Sequence, residues 1–365
     1  MERIYVTYKF VGEDPKSIAD VIRAEQTIEF PFELAPSWIQ EEVVGKVEEI
    51  YSTSQINHLI TISYNPDVTG GELNQFLNVL WGNVSLFPNI RIVELKLPES
   101  FLAKFQGPRF GIAGLRKLLG APTRPLISTA LKPMGSDAKS LAEMARTLAL
   151  AGFDLIKDDH SLANQPWATW KDRVTLISRA VNEANEITSG KSIYAPSLNL
   201  PFDQIVDAAN TAKDLGAGAL LILPGITGFD SLRKIASDDS IALPIQGHPA
   251  MLGSLVTSKS EGISHGIVLG TLMRLAGADI SIFPNTGGRF AFTKEHCLDI
   301  TERSREKLGN LNPLFVSPAG GMTLERIPEM IDVYGKDCAL LIGGALSRGS
   351  LADNAARMGE MVRAY

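Results

Sequence analysis

The chain has 365 residues, 45% of them hydrophobic and 21% charged, and a formal net charge of -6. That length and apolar content support a large packed core with room for two domains, and they exclude an intrinsically disordered chain. No lysine or arginine block, no apolar run near the roughly 18 residues of a membrane span and no signal-peptide charge pattern occur, which argues against nucleic-acid partners, membrane insertion and export.

The first hundred residues read as an α+β domain. Arg3–Lys9, His58–Tyr64 and Arg91–Lys96 carry strand patterns, while Ser17–Gln26 and Gly71–Leu80 carry helical ones. The order suggests a ferredoxin-like sheet. The Gly- and Pro-containing stretch Leu97–Arg124 reads as a linker, so the expected domains are 1–118 and 119–365.

From Pro125 onward, short apolar runs alternate with amphipathic helical stretches. The predicted strands are Leu126–Leu131, Asp154–Lys157, Ser192–Ala195, Ala219–Leu223, Leu243–Gln246, Ile280–Phe283, Leu314–Ser317 and Ala339–Ile342. Eight such units predict a (β/α)8 TIM barrel, and no Gly-rich dinucleotide turn favours a doubly wound sheet instead. The two cysteines, Cys297 and Cys338, fall in a predicted helix and a predicted buried strand, so they read as reduced packing residues in a cytoplasmic protein.

Active sites of such barrels lie at the carboxyl ends of the strands. Polar residues concentrate there: Thr129-Ala-Leu-Lys132-Pro133 after strand one, Lys157-Asp-Asp-His160 after strand two and Gln246-Gly-His248-Pro249 after strand five. A period of two puts Lys157 and Asp159 on one face and Asp158 on the other. Asp159 and His160 are then potential metal ligands, and Lys157 becomes one only if its amine is modified. The same cluster also reads as a charged group capping a helix start. Gly320-Gly321 and Gly343-Gly344 end strands seven and eight, where backbone N–H groups bind phosphate without side-chain obstruction; tight turns requiring glycine are the plainer alternative.

On these residues the chain resembles the RuBisCO superfamily, most closely its non-carboxylating RuBisCO-like members (form IV). Gly152-Phe-Asp-Leu-Ile-Lys-Asp-Asp-His160 is similar to the family's signature, in which the lysine is carbamylated and binds magnesium. The resemblance implies Mg2+ held by carbamylated Lys157, Asp159 and His160, the histidine standing where the family has glutamate. It further implies Lys132 and His248 as catalytic residues, and Gly320, Gly321, Gly343 and Gly344 around one substrate phosphate. Glu25 and Asn83 match residues that enter a neighbouring subunit's pocket, implying a homodimer or higher homo-oligomer.

The departures bear on activity. Pro249 stands where carboxylating members have arginine, Phe283 or Pro284 where they have a second histidine, Ala319 where they have serine, and Met134 where they have a second strand-one lysine. With the second-phosphate groups gone, the expected substrate is a monophosphorylated keto sugar, and carbon dioxide fixation is not expected. The strand-six loop Asn285-Thr-Gly-Gly-Arg289 has no counterpart of the carboxylases' lysine beyond Arg289. The expected reaction is enolisation or isomerisation of 5-methylthioribulose 1-phosphate or a related compound, as in methionine salvage, with Phe283, Pro249 and Met134 able to line an apolar pocket. Decarboxylation of a phosphorylated 3-oxo sugar acid (3-oxo-isoapionate 4-phosphate type) is the alternative, and a catalytically silent binding protein is the alternative of another class. His58, His265 and His296 read as packing or surface residues. Trp167 and Trp170 read as either packing or a lid.

Overall fold

The computed structural model describes residues 2–365. The chain divides into two compact units. The first runs to Phe105 and takes in Leu252–Val268 and Lys307–Leu311; the second holds Gln106–Met251, Leu269–Glu306 and Asn312–Tyr365.

In the first unit, β1 (Ile4–Val11), β2 (Lys46–Ser52), β3 (Asn57–Tyr64) and β4 (Ile90–Lys96) form an antiparallel sheet in the order β4-β1-β3-β2. The helices Pro15–Glu25 and Leu73–Trp81 complete the ferredoxin-like pattern. Asp14 caps the first of these by accepting from Ser17 N at 3.0 Å, with Pro15 at the first helical position, where its missing N–H costs nothing. Tyr8 and Tyr64 are fully buried, and their hydroxyls meet at 3.0 Å. A short parallel strand, Gly262–Ile263, joins the edge at β4, and Arg91 ties it down by donating to the carbonyls of Ser258 and Glu261 at 2.6 and 2.7 Å.

The second unit is the barrel. Continuing the strand numbers past that edge strand (β10), its eight strands are β5 (Leu126–Leu131), β6 (Leu155–Asp158), β7 (Ile193–Ala195), β8 (Leu220–Ile222), β9 (Ile245–Gly247), β11 (Ile280–Pro284), β12 (Phe315–Ala319) and β13 (Ala339–Leu341). All are parallel, in two runs, β13-β5-β6-β7 and β8-β9-β11-β12, which bridges at Ser197–Leu221 and Val316–Cys338 close into a ring. Strands buried on both faces need continuous apolar runs rather than alternation, and β5 is buried at all six positions.

Strand tilt makes each interior layer draw side chains from alternate strands. The pairing registers place Lys157, Leu221, Ile282 and Leu341 in one layer, and Ser128, Ala195, Gln246 and Ser317 in the layer beneath it. The amino-terminal end is closed by the helix Gly111–Leu119: Leu115, Leu119 and Ala121 pack on Leu126, Leu155, Ile280, Phe315 and Ala339. Asp279, 1% exposed, holds that helix in place by accepting from Phe110 N at 2.7 Å, Gly111 N at 2.8 Å and Ile245 N at 3.0 Å. Gly111 has φ +57°, and a Cβ there would stand 2.7 Å from Asn312 Cβ.

The stretch expected to be a linker therefore is structured. It contains the helices Glu99–Leu102 and Gly111–Leu119, and the expected break at 118/119 falls inside the second, which belongs to the barrel unit. Its apolar positions serve a helix that plugs the barrel, so its glycines mark a tight entry instead of a flexible tether. Cys297 and Cys338 are buried and free. Among the described residues, no helix is long and apolar enough to cross a membrane.

Candidate active site

At the carboxyl end of β6 the chain alternates as its sequence requires. Asp158 points outward and is fully buried, accepting from Arg173 Nε at 3.1 Å, Tyr194 OH at 2.7 Å and Ser197 N at 2.9 Å. These contacts anchor the strand end to the helix Trp170–Thr188 and to β7, and so set the direction of its neighbours. Lys157 points into the barrel, where it is 2% exposed among Leu221, Ile282 and Leu341, and its Nζ donates to Asp158 O at 3.0 Å. Burial, reinforced by the charge of Lys132, pulls the Lys157 ammonium down to about 8.

Asp159 lies on the same side. Its Oδ1 receives Lys132 Nζ in a close ion pair and His160 Nδ1 at 3.2 Å, and its Oδ2 receives Ser161 Oγ at 2.8 Å. Burial opposes its ionisation, but the hydrogen bonds from His160, Lys132 and Ser161 outweigh burial and hold the carboxyl far below its usual range. His248, at the end of β9, stacks on His160 with ring centroids 4.8 Å apart and planes at 10°. Burial and the nearby Lys157 and His160 keep it well below the ordinary histidine range. Its Nδ1 accepts from Ala250 N at 3.2 Å, so the neutral ring carries its proton on Nε2. Five of the sequence-predicted residues, Lys132, Lys157, Asp159, His160 and His248, thus meet at one end of the barrel.

The glycine pairs occupy the ends of β12 and β13. Gly320 and Gly321 have φ of +86° and +84°, and Gly344 has open space where a Cβ would stand. A Cβ on Gly343 would lie 3.6 Å from Lys132 Cε, which puts this loop beside the charged cluster. Glu25 and Asn83 belong to the first unit, where Asn83 Nδ2 donates to Glu25 Oε2 at 3.2 Å and both line a groove with Gln26, Thr27, Gln75 and Asn78.

The family model described as the ribulose bisphosphate carboxylase large chain, catalytic domain, matches residues 111–357. Along its full length the chain is also 36% identical to a RuBisCO-like protein from Rhodopseudomonas palustris of known structure, with a TM-score of 0.90 and coverage of 100% of this chain and 99% of that one. The chain belongs to the RuBisCO large-chain family, as a RuBisCO-like protein. This RuBisCO-like chain is 37% identical to the 5-methylthioribulose-1-phosphate isomerase of Rhodospirillum rubrum, over 94% of its own length and 91% of the relative's. It is 36% identical to the 2,3-diketo-5-methylthiopentyl-1-phosphate enolase of Bacillus velezensis, over 83% and 76%.

One expectation for the RuBisCO-like site changes with the geometry. Phe283 does not line the pocket: it is fully buried on the outward face of β11, edge-on to Tyr334 at 6.0 Å, because Ile282 and Pro284 take the inward positions. Met134, by contrast, is 49% exposed on the loop after β5. Trp170 is a packing residue whose Nε1 donates to Ser197 O at 2.9 Å, while Trp167 is exposed. His58 bonds Gly12 O at 2.9 Å and Ser52 Oγ at 2.8 Å, His265 is buried, and His296 completes a capping box with Thr293. Sequence reading passed over Ser161, although an Asp-x-Ser spacing after a strand is a signal for a hydroxyl returning to the carboxylate.

Proposed function

We propose that this RuBisCO-like protein enolises a monophosphorylated keto sugar, acting as an isomerase or enolase on 5-methylthioribulose 1-phosphate or a closely related compound. The observation that carries the reading is the meeting of Lys132, Lys157, Asp159, His160 and His248 at the carboxyl end of the barrel, in a chain similar over nearly its whole length to an isomerase of that compound.

The donor set suits a divalent cation such as Mg2+. Among the described residues no three His, Cys, Asp or Glu side chains are placed to hold a metal ion by themselves, so Asp159 and His160 need Lys157 as the third ligand, and a carbamate formed with carbon dioxide would turn that amine into an oxygen donor. Only a neutral amine can react with carbon dioxide, and an amine drawn down to about 8 by burial is partly neutral near physiological pH. Asp159, kept ionised by its three donors, supplies a carboxylate near neutral pH. A cation held there supplies Lewis-acid polarisation of a carbonyl. Lys132 lies against Asp159, where its ammonium can stabilise negative charge on the substrate oxygen or shuttle a proton. Neutral His248, with its proton on Nε2, donates a hydrogen bond that orients a substrate hydroxyl. The glycine turns after β12 and β13 receive the phosphate through backbone N–H groups. Glu25 and Asn83 are read as contributions to a partner subunit's site in a homodimer. Mixing Glu25→Gln with Lys157→Met subunits then restores about a quarter of wild-type turnover, since half the dimers are mixed and each has one intact site; no recovery removes the shared site.

Decarboxylation of a phosphorylated 3-oxo sugar acid remains the second reading because Arg289, an exposed cation stacked 5.0 Å over the Phe290 ring, stands on the loop after β11. The test is proton NMR in deuterated water with magnesium and bicarbonate, each substrate being offered separately. Deuterium entering the methylthiopentulose phosphate establishes enolisation. Carbon dioxide release from the oxo acid alone assigns a decarboxylase, and inertness to both assigns a silent binding protein.

A further inference from the structure

The loop after β11 and the Gly320–Gly321 turn form one body, and a single residue, Asn285, joins them at both ends of the turn. Its backbone N–H donates to Ala319 O at 2.8 Å, on one side of the glycine pair, and its side-chain Nδ2 donates to Met322 Sδ at 2.8 Å, on the other. Its Oδ1 accepts the Tyr334 hydroxyl in a close hydrogen bond from behind, and Asn285 is only 2% exposed. The loops touch directly as well. A Cβ on Gly288 would stand 2.1 Å from Gly320 O, and Arg326 Nη2 holds Thr286 O at 2.9 Å.

Two consecutive glycines in the left-handed region have the widest conformational freedom a chain offers, so such a turn does not by itself keep its N–H groups aimed at one point. A ligand that binds it must order it first, at a cost in affinity. The bonds to Ala319 and Met322 fix the residues that flank the pair, and the Tyr334 hydroxyl fixes Asn285.

We infer that Asn285 is a positioning residue for phosphate: through Ala319 and Met322 it holds the Gly320–Gly321 turn in its anion-receiving form, and so sets the affinity for the phosphorylated end of the substrate. The inference rests on the proposed role of that turn. It also gives the loop after β11 a function without the lysine of the carboxylases, as a fixed brace for its neighbour.

The experiment measures inorganic phosphate binding by the full-length protein, read both calorimetrically and as hydrogen-exchange protection of residues 319–322, together with KM and kcat for the phosphorylated ketose. Asn285→Ala is expected to weaken phosphate binding about tenfold and to raise KM by a similar factor, with a much smaller change in kcat. Tyr334→Phe and Met322→Leu, which each remove one bond to Asn285 and keep the side-chain bulk, are expected to weaken it about threefold, and they decide the matter if Asn285→Ala does not fold. Phosphate affinity within twofold of wild type in these variants overturns the role of Asn285. Wild-type amides at 319–322 that ignore saturating phosphate overturn the phosphate role of the turn itself, and the inference with it.

Discussion

The two ends of the barrel are built on opposite principles. At the amino-terminal end, Leu115 and Leu119 plug an apolar layer, and the buried carboxyl of Asp279 spends all its bonds on backbone N–H groups. At the carboxyl end, Lys157 is buried with one backbone partner, and Lys132 and Asp159 satisfy each other at the edge of solvent. One end maximises stability, whereas the other keeps ionisable groups in surroundings that shift them, which chemistry uses and stability does not reward. The same fold thus separates the two demands by the length of a strand.

The largest break in this comparison comes from Lys157→Met, expected to lower turnover by about a thousandfold or more, roughly 4 kcal/mol of transition-state stabilisation. Its melting temperature is not expected to fall, because below pH 8 the change removes a charge that burial disfavours; scanning calorimetry beside the NMR assay checks both halves. Leu115→Ala is expected to do the reverse, costing ~3 to 4 kcal/mol in denaturant unfolding through lost burial and a cavity, with kcat nearly unchanged in the folded protein.

Asp279 sharpens the comparison through pH. Burial, working against the three backbone donors, raises its carboxyl to about 6, above the unfolded value near 4. The folded state therefore holds this proton more tightly, and the associated stability, roughly 2 to 3 kcal/mol, is fully present below about pH 4 and lost as pH rises through 6. Chemical denaturation between pH 4 and 7 is expected to show that component in the wild type and to lack it in Asp279→Asn. Smallest is Ser161→Ala, which removes one donor from Asp159 and is expected to slow turnover about three- to tenfold, the worth of about 1 kcal/mol, with no change in unfolding.

The eight barrel strands were legible because each is buried on both faces and so is a short apolar run between amphipathic helices. β2 was not, since Lys46–Ser52 is an edge strand with no buried residue and carries no apolar alternation. The plug helix hid among glycines and prolines that suggested a linker. In the site, Lys132, Lys157, Asp159, His160 and His248 were legible because chemistry-bearing residues clustered at strand ends. Asn285 was visible only as a polar loop residue, since its meaning lies in Met322 and Tyr334, distant in sequence and close in space. Phe283 was misjudged for want of one parity: the pocket wall depends on which of two adjacent positions faces inward.

The two cysteines have a practical corollary. Burial raises the Cys297 thiol and pushes Cys338 up to about 12, so the thiolate that reacts with disulfide reagents is scarce and enclosed at both positions. The native protein is then a silent background for thiol labelling, and a single engineered site, such as Trp167→Cys on the exposed loop after β6, becomes the sole attachment point for a dye or spin label that reports on the mouth of the barrel during turnover.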